Sequence, residues 1–339
     1  MDQVSTIGFD IAKHVFQVHG TDAQGRVFRR KLRRKEVIAY FASLPPSLIG
    51  MEACGSAHYW ARQLQALGHE VRLMPPAYVK PYVKRGKNDA IDAEACWEAV
   101  GRPTMRFVAI KSEEQQSVLM LHRARDLLIG QRTQTSNALR GHLAELGIIA
   151  KQGRGGTDEL LALVEGNEEG QMPELARTAL LVLAGQLREL RLQISKIERE
   201  IHAWHRSNAV SRRLETAPGI GPITASAIVA TVPDPSRFKS GRQFSAWIGL
   251  TPNEDSTGGK QRLGRITRAG DPYLRRLLVV GAHAVLRYSG NAKSAPTKWA
   301  AELLGKKPYT VAAVALANKM ARVIWAMMMK GEAFRAVSA

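Results

Sequence analysis

Four carboxylates in this sequence, two of them in apolar strands where an acid is costly, could together do phosphate chemistry. Asp10 sits inside an apolar stretch, and Glu52 closes the apolar run Leu48-Ile49-Gly50-Met51. A buried charge is expensive unless it is paired or bound to a cation. Asp89 and Asp92 fall three residues apart in a helical stretch and so share one face. Taken singly, each has an ordinary reading. Asp10 could accept turn hydrogen bonds, Glu52 could pair with an arginine, and Asp89 could cap its helix. If the strands ending in Asp10 and Glu52 are neighbours, however, the acids leave the sheet at one edge. Four such groups cannot all stay ionised without counter-charge, and oxygen-ligated Mg2+ supplies it in a form suited to phosphoryl chemistry.

A second candidate is a hydroxyl. The loop Asn253-Glu254-Asp255-Ser256-Thr257-Gly258-Gly259-Lys260 places Ser256 in a Gly-rich, basic setting. As a residue type it could be a helix cap, a phosphate contact or a nucleophile. With no histidine adjacent to activate it, the last of these ranks lowest on the residues alone. The surrounding charge speaks for an anionic partner. With 49 Lys+Arg against 30 Asp+Glu, the 339-residue chain carries +19 and a pI of about 10.3. Nucleic acid is the first candidate and a membrane surface the second. The charge is clustered: Arg26 to Lys35 has no acid and includes Arg29, Arg30, Arg33 and Arg34. Thr257 to Gly290 carries Lys260, Arg262, Arg265, Arg268, Arg275 and Arg276 against the single acid Asp271. Such stripes suit the tracking of phosphates. Pro218-Gly219-Ile220-Gly221-Pro222 is similar to the hairpin of a helix-hairpin-helix element, where Gly219 and Gly221 would let backbone N–H groups approach a DNA phosphate. The same short motif also serves as a plain helix turn.

Two cysteines, Cys54 and Cys96, make neither a disulfide framework nor a four-thiolate zinc site. No signal peptide is read at the start. The most apolar stretch, Val311 to Met329, is interrupted by Asn318, Lys319 and Arg322, so a membrane span is not expected. The expected location is the cytoplasm. Aromatics at 6% give no evident stacking platform for single strands.

The elements that must position these residues fall into three parts, expected at 1–105, 106–210 and 211–339. The first part alternates short strands and helices. Strands are expected over Thr6 to Ala12, His14 to Gly20, Arg26 to Leu32, Ser47 to Met51 and His69 to Met74. Helices are expected over Lys35 to Ser43, Ala57 to Leu67 and Asp89 to Val100. A three-strand meander followed by helix-separated strands predicts an α/β sheet. In the middle part, Ser112 to Gly147 is helical and Lys151 to Pro173, rich in Gly and acid, predicts a linker or loop. Then Ala176, Leu180, Leu183, Leu187, Leu190, Ile194, Ile197, Ile201 and Trp204 recur at spacings of four and three. That is a heptad seam. It predicts a coiled coil, closed by a helical hairpin with 112–147 or by self-association. The last part is mainly helical around the basic loop.

Several blocks resemble the DEDD transposase family of bacterial insertion sequences. They are Gly8-Phe9-Asp10-Ile11-Ala12-Lys13, Gly50-Met51-Glu52-Ala53-Cys54-Gly55 and Lys87-Asn88-Asp89-Ala90-Ile91-Asp92-Ala93. In the C-terminal half, Pro218-Gly219-Ile220-Gly221, Phe244 to Pro252 and Gly270 to Arg276 resemble the family's second domain in order and spacing. The resemblance covers nearly the whole chain. It implies an RNase H-like (RuvC-like) N-terminal domain, similar to that of Holliday-junction resolvases, in which Asp10, Glu52, Asp89 and Asp92 bind Mg2+. It also implies that Ser256 attacks the DNA backbone and becomes covalently attached. The family often has Ser-Gly or Ser-Ser-Gly-Gly here, where this chain has Ser-Thr-Gly-Gly, so Thr257 is the more hindered alternative. Further implications are half-sites meeting across a homodimer or homotetramer, donor and target DNA as substrates, and guidance by a structured bridge RNA. Two competing expectations are a resolvase-type nuclease using metal-bound water and a non-catalytic DNA-binding protein.

Overall fold

The computed structural model describes residues 4–22, 24–84, 89–166, 172–255, 257–258, 260, 262–288 and 295–335. The chain divides into two compact units, Met1–Glu114 and Gln115–Ala339.

The first unit is built on β1 (Val4–Asp10), β2 (Val15–Asp22), β3 (Val27–Arg33), β4 (Leu48–Glu52) and β5 (Glu70–Met74). Its helices are α1 (Val37–Ala42), α2 (Ala57–Ala66), α3 (Pro76–Val79) and α4 (Asp89–Val100). The sheet order is β3-β2-β1-β4-β5, with β1, β2 and β3 antiparallel and β1, β4 and β5 parallel. The meander and the two helix-separated strands therefore stand as the strand patterns predict, with ends moved by a residue or two. Both faces are covered, which is why the central strands are apolar on both sides. Ile7, Phe9, Ile49 and Met51 pack on one face with Phe41 and the α2 residues Trp60 and Leu64. The other face takes α4, whose Cys96, Ala99 and Val100 are buried with Met74 and Val79.

The second unit is mainly helical. It contains α5 (Glu113–Glu145), which opens at the division, α6 (Arg154–Glu165), α7 (Glu174–Ser207), α8 (Ala209–Glu215), α9 (Pro222–Thr231) and α10 (Gly241–Ile248). A hairpin of β6 (Pro252–Glu254) and β7 (Leu263–Ile266) follows, then α11 (Pro272–Arg287), α12 (Ala295–Leu304) and α13 (Tyr309–Lys330). The expected loop over 151–173 is corrected: twelve of its residues form α6. Its glycines and acids hide a helical triplet, Leu160, Leu161 and Val164, which is buried against Leu139, Leu143, Leu180 and Leu187. The heptad seam lies on one 34-residue helix, α7. Leu180, Leu187, Leu190, Ile194 and Ile201 are buried, and the first two pack against α5 and α6 of the same chain. Arg125 of α5 reaches Glu198 of α7 at 2.7 Å.

Helix α13 runs unbroken through Asn318, Lys319 and Arg322, and by length and composition it could cross a membrane. Its Ala313, Leu316, Ala317, Ile324 and Met327 are buried in the C-terminal core with Leu274 and Leu278 of α11. Its apolar character is thus accounted for by core packing.

Candidate metal centre and basic hairpin

Asp10 is the last residue of β1 and Glu52 the last of β4. The two strands pair in parallel with Gly8 opposite Gly50, so the same offset sets Asp10 beside Glu52. Alternation along a strand puts residues two apart on one face. Gly8 and Asp10 therefore face α4, as do Gly50 and Glu52. The glycines let that helix lie close. A Cβ on Gly8 would meet the Ala93 carbonyl oxygen at 1.9 Å, and one on Gly50 would meet Val100 Cβ at 2.6 Å. Helix α4 in turn brings Asp89 and Asp92, in its first turn, to the sheet edge.

Carboxylate oxygens of Asp10, Asp89 and Asp92 lie within 4.8 Å of one another. Glu52 is outside that tight group yet close enough to be felt. Burial pushes the Asp10 carboxyl up to about 6, and the charges of Asp92, Asp89 and Glu52 add to the rise. Burial, then Asp92, also raises Glu52. The thiol of Cys96 is held well above its usual range by burial and by the Glu52 and Asp10 charges. The donors are thus carboxylate oxygens only, in a half-buried pocket of surplus negative charge. That donor set fits a hard divalent cation. Lys87 and Asn88 lie outside the described residues.

The N-terminal basic cluster is in part spoken for. Arg29 pairs with Glu94 at 2.9 Å. Arg34 stacks its guanidinium 5.1 Å from the Trp60 ring. Arg30 and Arg33 are exposed on β3, one of the two edge strands of the sheet. Charges there also discourage edge-to-edge pairing.

In the second unit the basic loop is an antiparallel hairpin, with Pro252 opposite Ile266 and Glu254 opposite Leu263. Ser256 and Gly259 lie outside the described residues. Near them, Thr257 bridges to Lys260. Lys260, Arg262, Arg265 and Arg268 are all exposed. The hairpin base is tied to the body by backbone bonds from Thr267 to Thr251 and from Arg268 to Gly249. Arg275 completes the tie, donating through Nη1 to the carbonyls of Ile248 and Ala269 at 2.9 and 2.7 Å. Arg276 pairs with Asp126. These two arginines have structural partners that their place in a basic stripe did not announce. Gly219 has one as well. A Cβ there would strike the Gly281 carbonyl oxygen at 2.7 Å, so the turn uses it to sit against α11. Gly221 is exposed, with open space around it.

One cluster escaped the sequence reading. His122 of α5 is fully buried, with Nδ1 3.0 Å from the Tyr273 hydroxyl and Nε2 3.1 Å from Ser226 Oγ. Ser226 in turn donates to the Pro222 carbonyl at 2.7 Å. Burial, then Arg125 and Arg123, push the imidazole down to about 4. It is a neutral pin joining α5, α9 and α11, and a lone histidine in a helical run carries no signal of that.

Comparison with known proteins settles the family. Residues 7–148 match the DEDD transposase family model, spanning all four carboxylates. Residues 211–296 match the model described as the Transposase IS116/IS110/IS902 family, spanning the basic hairpin. The chain belongs to this transposase family. A probable family 20 transposase of Pseudomonas aeruginosa is 49% identical over 334 residues, covering 98% of this chain and 99% of the relative. The transposase for insertion sequence element IS1111A of Coxiella burnetii is 38% identical over 99% of this chain and 92% of its own length. That for element IS1328 of Yersinia enterocolitica is 37% identical, over 98% and 99%. As a member of the IS116/IS110/IS902 family, the chain is an insertion-sequence transposase, an enzyme that cuts and rejoins DNA.

Proposed function

We propose that this transposase joins DNA by serine transesterification on an RNase H-like, Mg2+-dependent framework. The observation that carries the metal half is the convergence of Asp10, Asp89 and Asp92 within 4.8 Å, with Glu52 beside them. The sheet order is compatible with an RNase H-like domain. When bound, Mg2+ would neutralise phosphate oxygens. The serine half rests on the family match over 211–296, which includes Ser256. Its hydroxyl oxygen forms a bond to phosphorus as its proton leaves, and the displaced strand oxygen departs and is protonated. The phosphoserine ester conserves the bond energy, and a hydroxyl of a second strand later reverses the step. Lys260, Arg262 and Arg265 supply positive charge where the phosphorane builds up negative charge.

The division of labour is a metal-binding part over 1–105, a helical part with the heptad seam over 106–210 and a serine-bearing part over 211–339. We further assign donor and target DNA and a structured bridge RNA as partners, with a homodimer or homotetramer as the working form. The +19 charge supports nucleic-acid partners in general.

Replacing Ser256 by Ala tests the chemistry. DNA binding survives, while joining and any covalent protein–DNA adduct disappear. Joining by Ser256→Ala at the wild-type rate overturns the nucleophile. Cleavage without joining in that variant marks a resolvase-type hydrolysis, which an oxygen-only carboxylate cluster would also serve.

A further inference from the structure

A groove of about 1510 Å³ lies between α10, the β6–β7 hairpin and α13, with Trp299 of α12 on its wall. That exceeds the roughly 300–1,000 Å³ usual for small-molecule sites, so its size suits a polymer. Its charge is of one sign. Arg242, Arg265, Arg268, Lys319 and Arg322 line it, and no Asp or Glu does so among the described residues. Lys319 and Arg322 stand three apart on one helix face, and burial together with the Arg322 charge lowers the Lys319 amine. Two cations held together without an acid invite an anion from outside.

Between these charges the surface is apolar. Leu250, Ile266, Val314, Val323 and Ala326 form much of the lining, with the rings of Trp299 and Trp325. Lys319 Nζ lies 4.3 Å from the Trp299 ring centre, and Trp325 donates its Nε1–H to the Pro235 carbonyl at 3.1 Å, so both rings are fixed in place. A duplex presents phosphates outward and keeps its bases stacked inside. It would gain little from an apolar floor. A strand with unpaired bases satisfies both features, backbone on the cations and base faces on the apolar surface. The uncharged polar side chains of the lining are Ser240, Thr310 and Asn318, the last donating its Nδ2 to the Leu250 carbonyl at 3.1 Å; the strand is taken as DNA because DNA is what this transposase joins.

We propose that this groove holds an unpaired DNA strand beside the basic hairpin. The proposal rests on the DNA-joining function above, yet its test does not depend on Ser256. Fluorescence anisotropy with the full chain would compare a labelled dT12 strand, an abasic strand of the same length, a 12-base-pair duplex and an rU12 strand. Expected is binding of dT12 that weakens tenfold or more in a Lys319→Gln/Arg322→Gln double variant, with a smaller loss for the other three probes. The slope of log affinity against log salt should shrink by about 1.4, the share of two cations on a single strand. Exposed Lys196→Gln on α7 serves as the control and should change neither. If the double variant fails to fold, Arg242→Gln/Arg265→Gln on the opposite side gives the same reading. Unchanged dT12 affinity in a folded variant overturns the proposal. So does a double variant that weakens the duplex, the abasic strand or rU12 as much as it weakens dT12. Ser256→Ala should bind dT12 like wild type, so loss of the serine reading and loss of the groove show up in different assays.

Discussion

The two units hold charge in opposite ways. In Met1–Glu114, acids are forced together by rigid secondary structure: two parallel strand ends and the first turn of a helix seated on glycines. The cluster is half-buried, and its cost appears as the upward shift of Asp10. In Gln115–Ala339, bases are spread along an exposed hairpin whose tip leaves the core and whose base is tied by Arg275. An acid cluster needs sub-ångström placement to share one ion, whereas phosphates along a strand can be tracked by flexible side chains on a simple scaffold. The acid cluster should therefore be fragile to backbone change and the basic hairpin tolerant of it.

The largest effect should come from Asp10→Asn. Strand cleavage should fall by orders of magnitude, while the metal-free protein becomes more stable, read by a thermal melt in EDTA. The sign follows from the raised carboxyl. Its folded pKa of about 6 exceeds the unfolded value, so its contribution to stability is full below about 3.8 and is lost as pH rises through 6. A variant less stable than wild type in EDTA would mean the acids are not in conflict.

Next, Gly8→Ala should cost more than about 3 kcal/mol in urea unfolding and abolish cleavage, because its methyl group meets the α4 backbone. Gly264→Ala in the hairpin, where the nearest atom is 3.8 Å away, should stay within about 0.5 kcal/mol. Equal losses at the two glycines would dissolve the contrast between the acid cluster and the hairpin.

The His122 pin gives the second unit its own pH dependence. A folded pKa near 4 against about 6.5 unfolded means stability is full above 6.5 and falls as pH drops toward 4, by about 3 kcal/mol. That part of the slope should vanish in His122→Asn, measured by urea unfolding between pH 7 and 4.5. The smallest effect expected is for Arg275→Gln. It should lose about 1–2 kcal/mol through its two carbonyl bonds, while the salt dependence of DNA binding barely moves. A shift in salt slope as large as that of Arg265→Gln would make Arg275 a phosphate contact after all.

Much of the first unit was legible because its strands alternate or run apolar between clear turn residues, and because α4 begins and ends where its pattern does. Asp10 and Glu52 stood out for being expensive in their places, and Asp89 and Asp92 for sharing one helix face. What stayed hidden was the reason they can meet: Gly8 and Gly50 look like ordinary strand glycines until α4 is laid across them. In the second unit the seam of α7 was plain, but what covers Leu180 and Leu187 was not. Their cover comes from α5 and from α6, a helix whose glycines and acids resemble a linker. His122, Arg275 and Arg276 were opaque for the same reason: their partners lie far along the chain.

Residue order alone settled what depends on near neighbours. The period of the N-terminal strands and of α7, the excess of positive charge and the motif blocks all lie within short windows. Tertiary structure alone decided which faces meet: that β4 lies beside β1, that α4 caps the acidic edge, and that α13 belongs to a core while its polar side lines a groove. Those outcomes turn on close packing between distant segments, where a single methyl group decides whether two backbones can touch.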